Sequence, residues 1–267
     1  MFIFREKNKL LFILMLLGFH DQLLANSSAR CDHLTATGNS EYPPFLWRKN
    51  LETNHLLGTN SLIMKEISQR LGKPIRLKHT GPWSRAQREV NSGRIDLMAG
   101  VFYTKQRSQH MDYIKPAFLE TQSVVWTNTQ KPFNYQNEHS LKGKLGATVI
   151  NNSFGQTFDQ FALKHLNIAT VASIEQAFKM LLNQRVDYVL YEESPGEAYI
   201  QQIWNYFPFQ VQQPAISSEG LYLAFSRNSP CNNPALRNRL TDIMKSLTQE
   251  GFFEQIKLKG SAQWLLK

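Results

Sequence analysis

Along the chain, short apolar runs alternate with longer stretches in which Leu, Ile and Val recur every three or four positions. Cys31 to Thr37 reads as a strand, closed by Gly38-Asn39-Ser40 and the turn Tyr42-Pro43-Pro44-Phe45. Asn60 and Ser61 can cap a helix with Leu62, Ile63, Ile67 and Leu71 on one face, stopped by Gly72 and Pro74. Pro74 to Lys78 is a second strand. Gly81-Pro82-Trp83-Ser84-Arg85 opens a helix to about Asn91, and Ile95 to Val101 is a short buried strand. A β-α-β-α-β order of this kind calls for a parallel sheet with helices on its faces.

The pattern then recurs. Leu145 to Ile150 is a strand, Asn151-Asn152-Ser153 a polar turn, and Phe154 to His165 a helix. Ala169 to Ala172 is a strand, and Ser173 can cap a helix whose apolar face carries Ile174, Ala177, Phe178, Leu181 and Leu182. Arg185-Val186-Asp187-Tyr188-Val189-Leu190 repeats Arg94-Ile95-Asp96-Leu97-Met98-Ala99 after 91 residues, each time between a helix and a buried strand. Two similar lobes follow from this repeat of motif and element order. Glu120 to Thr127 reads as an extended link between them, and Ser218 to Ser226 as the return crossing. A helix from Pro234 to Thr248 then packs on the first lobe, and Ser194-Pro195-Gly196 reads as a turn.

At 267 residues the chain is long enough for two modest cores. Residues 1–29 carry a secretory signal: Arg5, Lys7 and Lys9 precede the apolar run Leu10 to Phe19, with Ala25 and Ala29 as cleavage points. That run is too short to span a bilayer. Arg30 before Cys31 does not fit a lipoprotein signal. The mature chain is therefore expected in the periplasm. The net charge of +9 comes from Lys and Arg scattered without a run of three, which with export argues against nucleic acid and leaves a mild bias toward anionic or zwitterionic ligands. In an oxidising compartment Cys31 and Cys231 are expected to pair, the alternative being two separate buried thiols.

Candidate chemistry centres on the turn after the buried strand, which carries Thr104 and Arg107. A guanidinium just past the carboxyl end of such a strand stands where open α/β sheets bind ligands, and it offers a planar fork to a carboxylate. The seven histidines show no metal-ligand spacing, and there is no nucleophile elbow or P-loop, so neither metal nor cofactor is expected.

Several pieces stand in an order that resembles a known family. They are Tyr42-Pro43-Pro44-Phe45, Gly58, Gly93-Arg94-Ile95-Asp96, Thr104-Lys105-Gln106-Arg107, Pro116, Leu141-Lys142-Gly143-Lys144, Arg185-Val186-Asp187 and Gly251. Together they resemble the periplasmic solute-binding proteins of polar amino-acid ABC transporters, family 3. The resemblance implies an α/β, two-lobed type II fold with residues 30–122 and 220–267 in lobe 1 and 123–219 in lobe 2. It implies a monomeric clamp for an amino acid or related small molecule that serves a membrane ABC permease. Arg107 falls on the arginine that holds a ligand carboxylate and Glu192 on the acid that meets its ammonium. Tyr42 and Trp83 fall on stacking positions, and Asn151, Asn152 and Ser153 near the carboxylate-binding turn of lobe 2. Arg85, on the first turn of its helix, is a further cleft candidate. Phe102 and Gly100 stand where such clamps place small or polar groups, and these departures suit a longer or more apolar ligand as well as an ordinary amino acid. Two alternatives accompany this reading: a periplasmic dehydratase-like enzyme with Glu192 or Glu193 as general acid, and a clamp that senses through a separate membrane partner.

Overall fold

A computed structural model describes residues 31–50, 52–204 and 206–266. The expected signal peptide and its cleavage points lie outside the described residues. Strand β1 (Leu34–Thr37) is shorter than its apolar run, because Cys31 to His33 form a turn. A small antiparallel sheet follows, made of β2 (Glu41–Tyr42), β3 (Leu46–Arg48) and β4 (Leu56–Leu57). Helix α1 (Thr59–Leu71) buries Ile63, Met64, Ile67 and Leu71. The expected capping by Asn60 is replaced: the helix starts from Gly58, and the Asn60 amide instead donates to the Ala99 carbonyl at 2.8 Å. Strand β5 (Ile75–Leu77), helix α2 (Trp83–Asn91) and the fully buried strand β6 (Leu97–Phe102) complete the first parallel unit.

β7 (Met111–Asn128) is an 18-residue strand, and β8 (Leu145–Val149), α3 (Gln156–His165), β9 (Asn167–Val171), α4 (Ile174–Leu182) and β10 (Tyr188–Glu192) form the second parallel unit. Ser173 caps α4 as expected, its hydroxyl accepting from the Gln176 N–H at 3.2 Å. Helix α5 (Glu193–Ile203) overturns the expected turn at Ser194-Pro195-Gly196. Pro195 lies in its first turn, where the missing N–H has no helical acceptor to lose. β11 (Phe209–Ser226), again 18 residues, returns the chain, and α6 (Pro234–Gln249) and α7 (Phe252–Leu265) end it.

The strands form one eight-stranded sheet in the order β5-β1-β6-β11-β7-β10-β8-β9. β1, β5 and β6 are parallel on one side, and β8, β9 and β10 on the other. Between them β7 and β11 pair antiparallel along their length, with register shifts at Gln212/Ser217 and Leu221/Leu223. The two crossings are thus much longer than the sequence pattern indicates, and each serves both halves.

The repeated Asp residues tie strand starts together. The Asp96 carboxylate accepts from the Thr35 N–H at 2.7 Å and from the Ser229 hydroxyl, while Asp187 accepts from the Leu145 N–H at 2.9 Å. Each therefore bolts its own strand to the parallel neighbour. Cys31 and Cys231 form a disulfide that joins the start of the described chain to the segment before α6.

Candidate functional site

The turn after β6 holds Arg107 in place through its own backbone. The Thr104 hydroxyl accepts from the Arg107 N–H at 3.1 Å, and the guanidinium donates to the Phe102 carbonyl at 3.2 Å. It lies 5.5 Å from the centre of the Trp83 ring, a cation–π arrangement. Across the cleft its other arm donates to the Asn151 carbonyl at 2.9 Å, and the Gln87 amide donates to that same oxygen at 3.2 Å. Asn151 reaches this position with φ 61°, a left-handed conformation that Asn tolerates. Arg107 is buried, and it stays charged because a guanidinium keeps its proton even when desolvation lowers its pKa.

Glu192 ends β10 at the opposite wall and is 2% exposed. Burial pushes its carboxyl up to about 7, opposed by its own backbone N–H, the nearby Asn152 amide and Arg107. Arg107 and Glu192 are not ion-paired with each other among the described residues. Both line a cavity of about 20 Å³ together with Tyr42, Trp83, Gly100, Phe102 and Asn152. That is room for about one water molecule. Four buried polar atoms here have no hydrogen-bond partner: the Tyr42 hydroxyl, the Trp83 indole N–H, the Asn152 amide nitrogen and Glu192 Oε2. Tyr42 sits near Thr121, and Asn152 near Glu192, but neither pair reaches hydrogen-bond geometry. Unpartnered buried polar groups are costly, so a cluster of them on residues lining one space is poised for an incoming partner.

The remaining sequence candidates separate in space. Arg85 is not among the residues lining this cavity: its side chain is 61% exposed and lies 3.9 Å from Glu89. Two residues along a helix turn the direction by roughly 200°, so Trp83 and Arg85 cannot both face inward. Ser153 is buried, but its hydroxyl is taken by the Asp159 carboxylate, outside the small cavity. Asn151 contributes its carbonyl while its side chain is exposed. Gly100, φ +105°, is needed because a Cβ there would meet the Asn60 amide at 2.6 Å. Gln87, Asn39 and Leu221 belong to the cleft and were not singled out from the sequence. Gln87 was findable, since it follows Trp83 by one helical turn and shares its face.

At the outer edge the halves touch through further bonds. The Tyr191 hydroxyl donates to the Glu41 carbonyl at 2.9 Å, and the Lys105 N–H donates to the Gln156 side chain at 3.0 Å. The clamp is therefore closed.

The family described as bacterial extracellular solute-binding proteins, family 3, matches residues 34–263. The chain belongs to this family. A mutant of the arginine-binding protein from T. maritima superposes with a TM-score of 0.72 at 16% identity, covering 92% of this chain and 99% of that one. An amino-acid ABC transporter substrate-binding protein from Streptococcus pneumoniae, bound to L-arginine, gives 0.72 at 18%, covering 87% and 96%. A histidine kinase sensor domain with similarity to periplasmic binding proteins gives 0.72 at 17%, covering 85% and 96%. No curated protein matches the sequence. These likenesses establish the two-sided type II architecture, and the family membership establishes a solute-binding role outside the cytoplasm. Among the described residues no helix is long and apolar enough to cross a membrane, and no group of three His, Cys, Asp or Glu side chains could hold a metal ion.

Proposed function

We propose that the protein captures an amino acid or similar small zwitterion between residues 30–122 with 220–267 and residues 123–219, and delivers it to a membrane ABC permease without chemical change. One observation carries the reading: a buried guanidinium and a buried carboxyl group line the same cavity without pairing, beside three further unpartnered polar atoms. A zwitterion satisfies both ends at once, entering as the halves part and widen a space that now has room for about one water. Its carboxylate takes the Arg107 arm now spent on Asn151, and its ammonium meets Glu192. The aromatic faces of Tyr42, Trp83 and Phe102 enclose the rest. Contacts to both halves favour the closed form, because a ligand shifts an equilibrium only by its differential affinity for the two states. β7 and β11 carry the bending, at the register shifts where their ladder is interrupted. Solute-binding proteins bound to arginine among the structural neighbours support an amino-acid cargo.

Calorimetric titration of the mature protein with the common amino acids tests this. Arg107→Ala is expected to weaken the best ligand by about 2–5 kcal/mol, the usual cost of removing one partner of a buried charged pair. A loss of less than tenfold removes Arg107 from the site. The histidine kinase sensor domain of the same architecture favours a second reading, in which the closed clamp signals to a membrane partner. Ligand-dependent capture of a permease, against capture of a sensor, separates the two.

A further inference from the structure

The cleft has two compartments of very different size. The inner one, between Arg107 and Glu192, measures about 20 Å³, whereas a groove on the outer side of Arg107 measures about 590 Å³. Arg107 and Asn152 line both, so the two spaces adjoin, and the Asn151 carbonyl held by Arg107 and Gln87 stands at their border. The groove remains open although the halves already touch, so closure does not use it up.

Its walls are polar and unbalanced in charge. The first half contributes Arg88 and Lys105, both exposed, and neither is in an ion pair among the described residues. The second half contributes amides, including Gln156 and Gln160, and one carboxylate, Asp159. That carboxylate is already bound, by the Ser153 hydroxyl and by the Phe154 N–H at 2.8 Å. Asp159 keeps its negative charge, but Arg88, Lys105 and Arg107 outnumber it on these walls, so with the amide donors the groove favours an anionic ligand arm over a cationic one. Inside the inner compartment Glu192 is the one acid in the lining, and a ligand ammonium occupies it.

We propose that the clamp takes an elongated ligand with an acidic tail. Its amino-acid head widens the space between Arg107 and Glu192 by taking the Arg107 arm from the Asn151 carbonyl, and a carboxylate-bearing arm runs out along Arg88 and Lys105. The proposal rests on the zwitterion reading above and adds the length and charge of the tail. It also separates this chain from neighbours crystallised with arginine, whose tail carries the opposite charge.

Three ligands with the same α-amino-acid head test it by calorimetry: γ-L-glutamylglycine with an acid tail, γ-L-glutamylethylamide with a neutral tail, and L-arginine with a cationic tail. The acid-tailed compound is expected to bind about tenfold tighter than the neutral one, with arginine weakest. That preference should reverse in the double variant Arg88→Glu with Lys105→Glu, and fall toward unity in high salt, since exposed charges are screened there. Equal affinity for the first two ligands, or tighter binding of arginine, overturns the acidic tail and leaves the clamp standing. If none of the three binds, and no common amino acid does either, the zwitterion reading falls with it.

Discussion

Replacing Glu192 by Gln separates the cost of a buried acid from its use. In the folded chain this carboxyl keeps its proton up to about 7, against an ordinary value of 4.5. Between those values the folded state binds more protons than the unfolded state, so stability falls as pH rises, and the loss is complete above about pH 7. At about 1.4 kcal/mol per pH unit the whole interval amounts to about 3 kcal/mol, with about 2.5 kcal/mol of it between pH 5 and pH 8. Glu192→Gln cannot ionise and escapes this term. Urea unfolding of the ligand-free wild type and variant at pH 5 and pH 8 should therefore show the variant gaining on the wild type as pH rises. Ligand binding has the opposite sign. An ammonium beside Glu192 favours the ionised carboxylate, so wild-type affinity should climb from pH 5 to pH 8, and the variant should bind weakly at both. The combination of higher stability and lower affinity marks a functional group held against its own preference. Unfolding curves that move in parallel for the two proteins between pH 5 and pH 8 would refute the argument.

Other perturbations test the frame around the site. Tyr191→Phe removes the hydroxyl that donates to the Glu41 carbonyl across the cleft at 2.9 Å. At about 1 kcal/mol the ratio of closed to open molecules should fall about fivefold, seen as a larger radius in small-angle scattering, and an unchanged radius would show that this bond does not hold the halves together. Gly93 has φ +77°, and a Cβ there would meet the Asn228 carbonyl at 2.2 Å, so Gly93→Ala should cost at least about 1–3 kcal/mol in a thermal melt. Replacing Cys31 and Cys231 together by Ser opens a cross-link spanning 200 residues, and chemical unfolding should show a loss of about 2–5 kcal/mol.

Most elements of both parallel units were legible because their strands are short apolar runs and their helices carry a regular apolar face. The long crossings were only partly legible. β7 and β11 mix buried with exposed residues along their length, and Pro116 and Pro214 interrupt the strand signal. α5 was hidden by Ser-Pro-Gly, which reads as a turn unless the proline falls in the first helical turn. α7 was hidden because Leu258 and Leu265 are exposed, which blurs its periodicity. Within the site, Arg107, Trp83, Tyr42, Phe102 and Glu192 converge on one cavity, and each lies at the end of a strand, in a turn or on a first helical turn. Arg85 and Ser153 diverge for reasons that spacing alone does not encode, namely helix direction and the local claim of Asp159 on the Ser153 hydroxyl. Asn151 acts through its backbone, to which side-chain chemistry gives no clue.

The arrangement of β6 between β1 and β11 has a bearing on when this protein can fold. Leu97 is flanked by Ala36 on one side and Phe225 on the other, and α6, later still, packs along β7. A chain emerging amino end first must wait for residues near its carboxyl end before that side of the sheet is filled. The middle of the chain faces no such delay, since β8 to β10 and their two helices find most of their partners within one continuous segment. Contacts between distant parts of a chain slow folding, so the middle should assemble early and the outer segments should close last. A newly exported molecule would thus remain incomplete, with its ligand groove unbuilt, until almost the whole polypeptide had crossed the membrane.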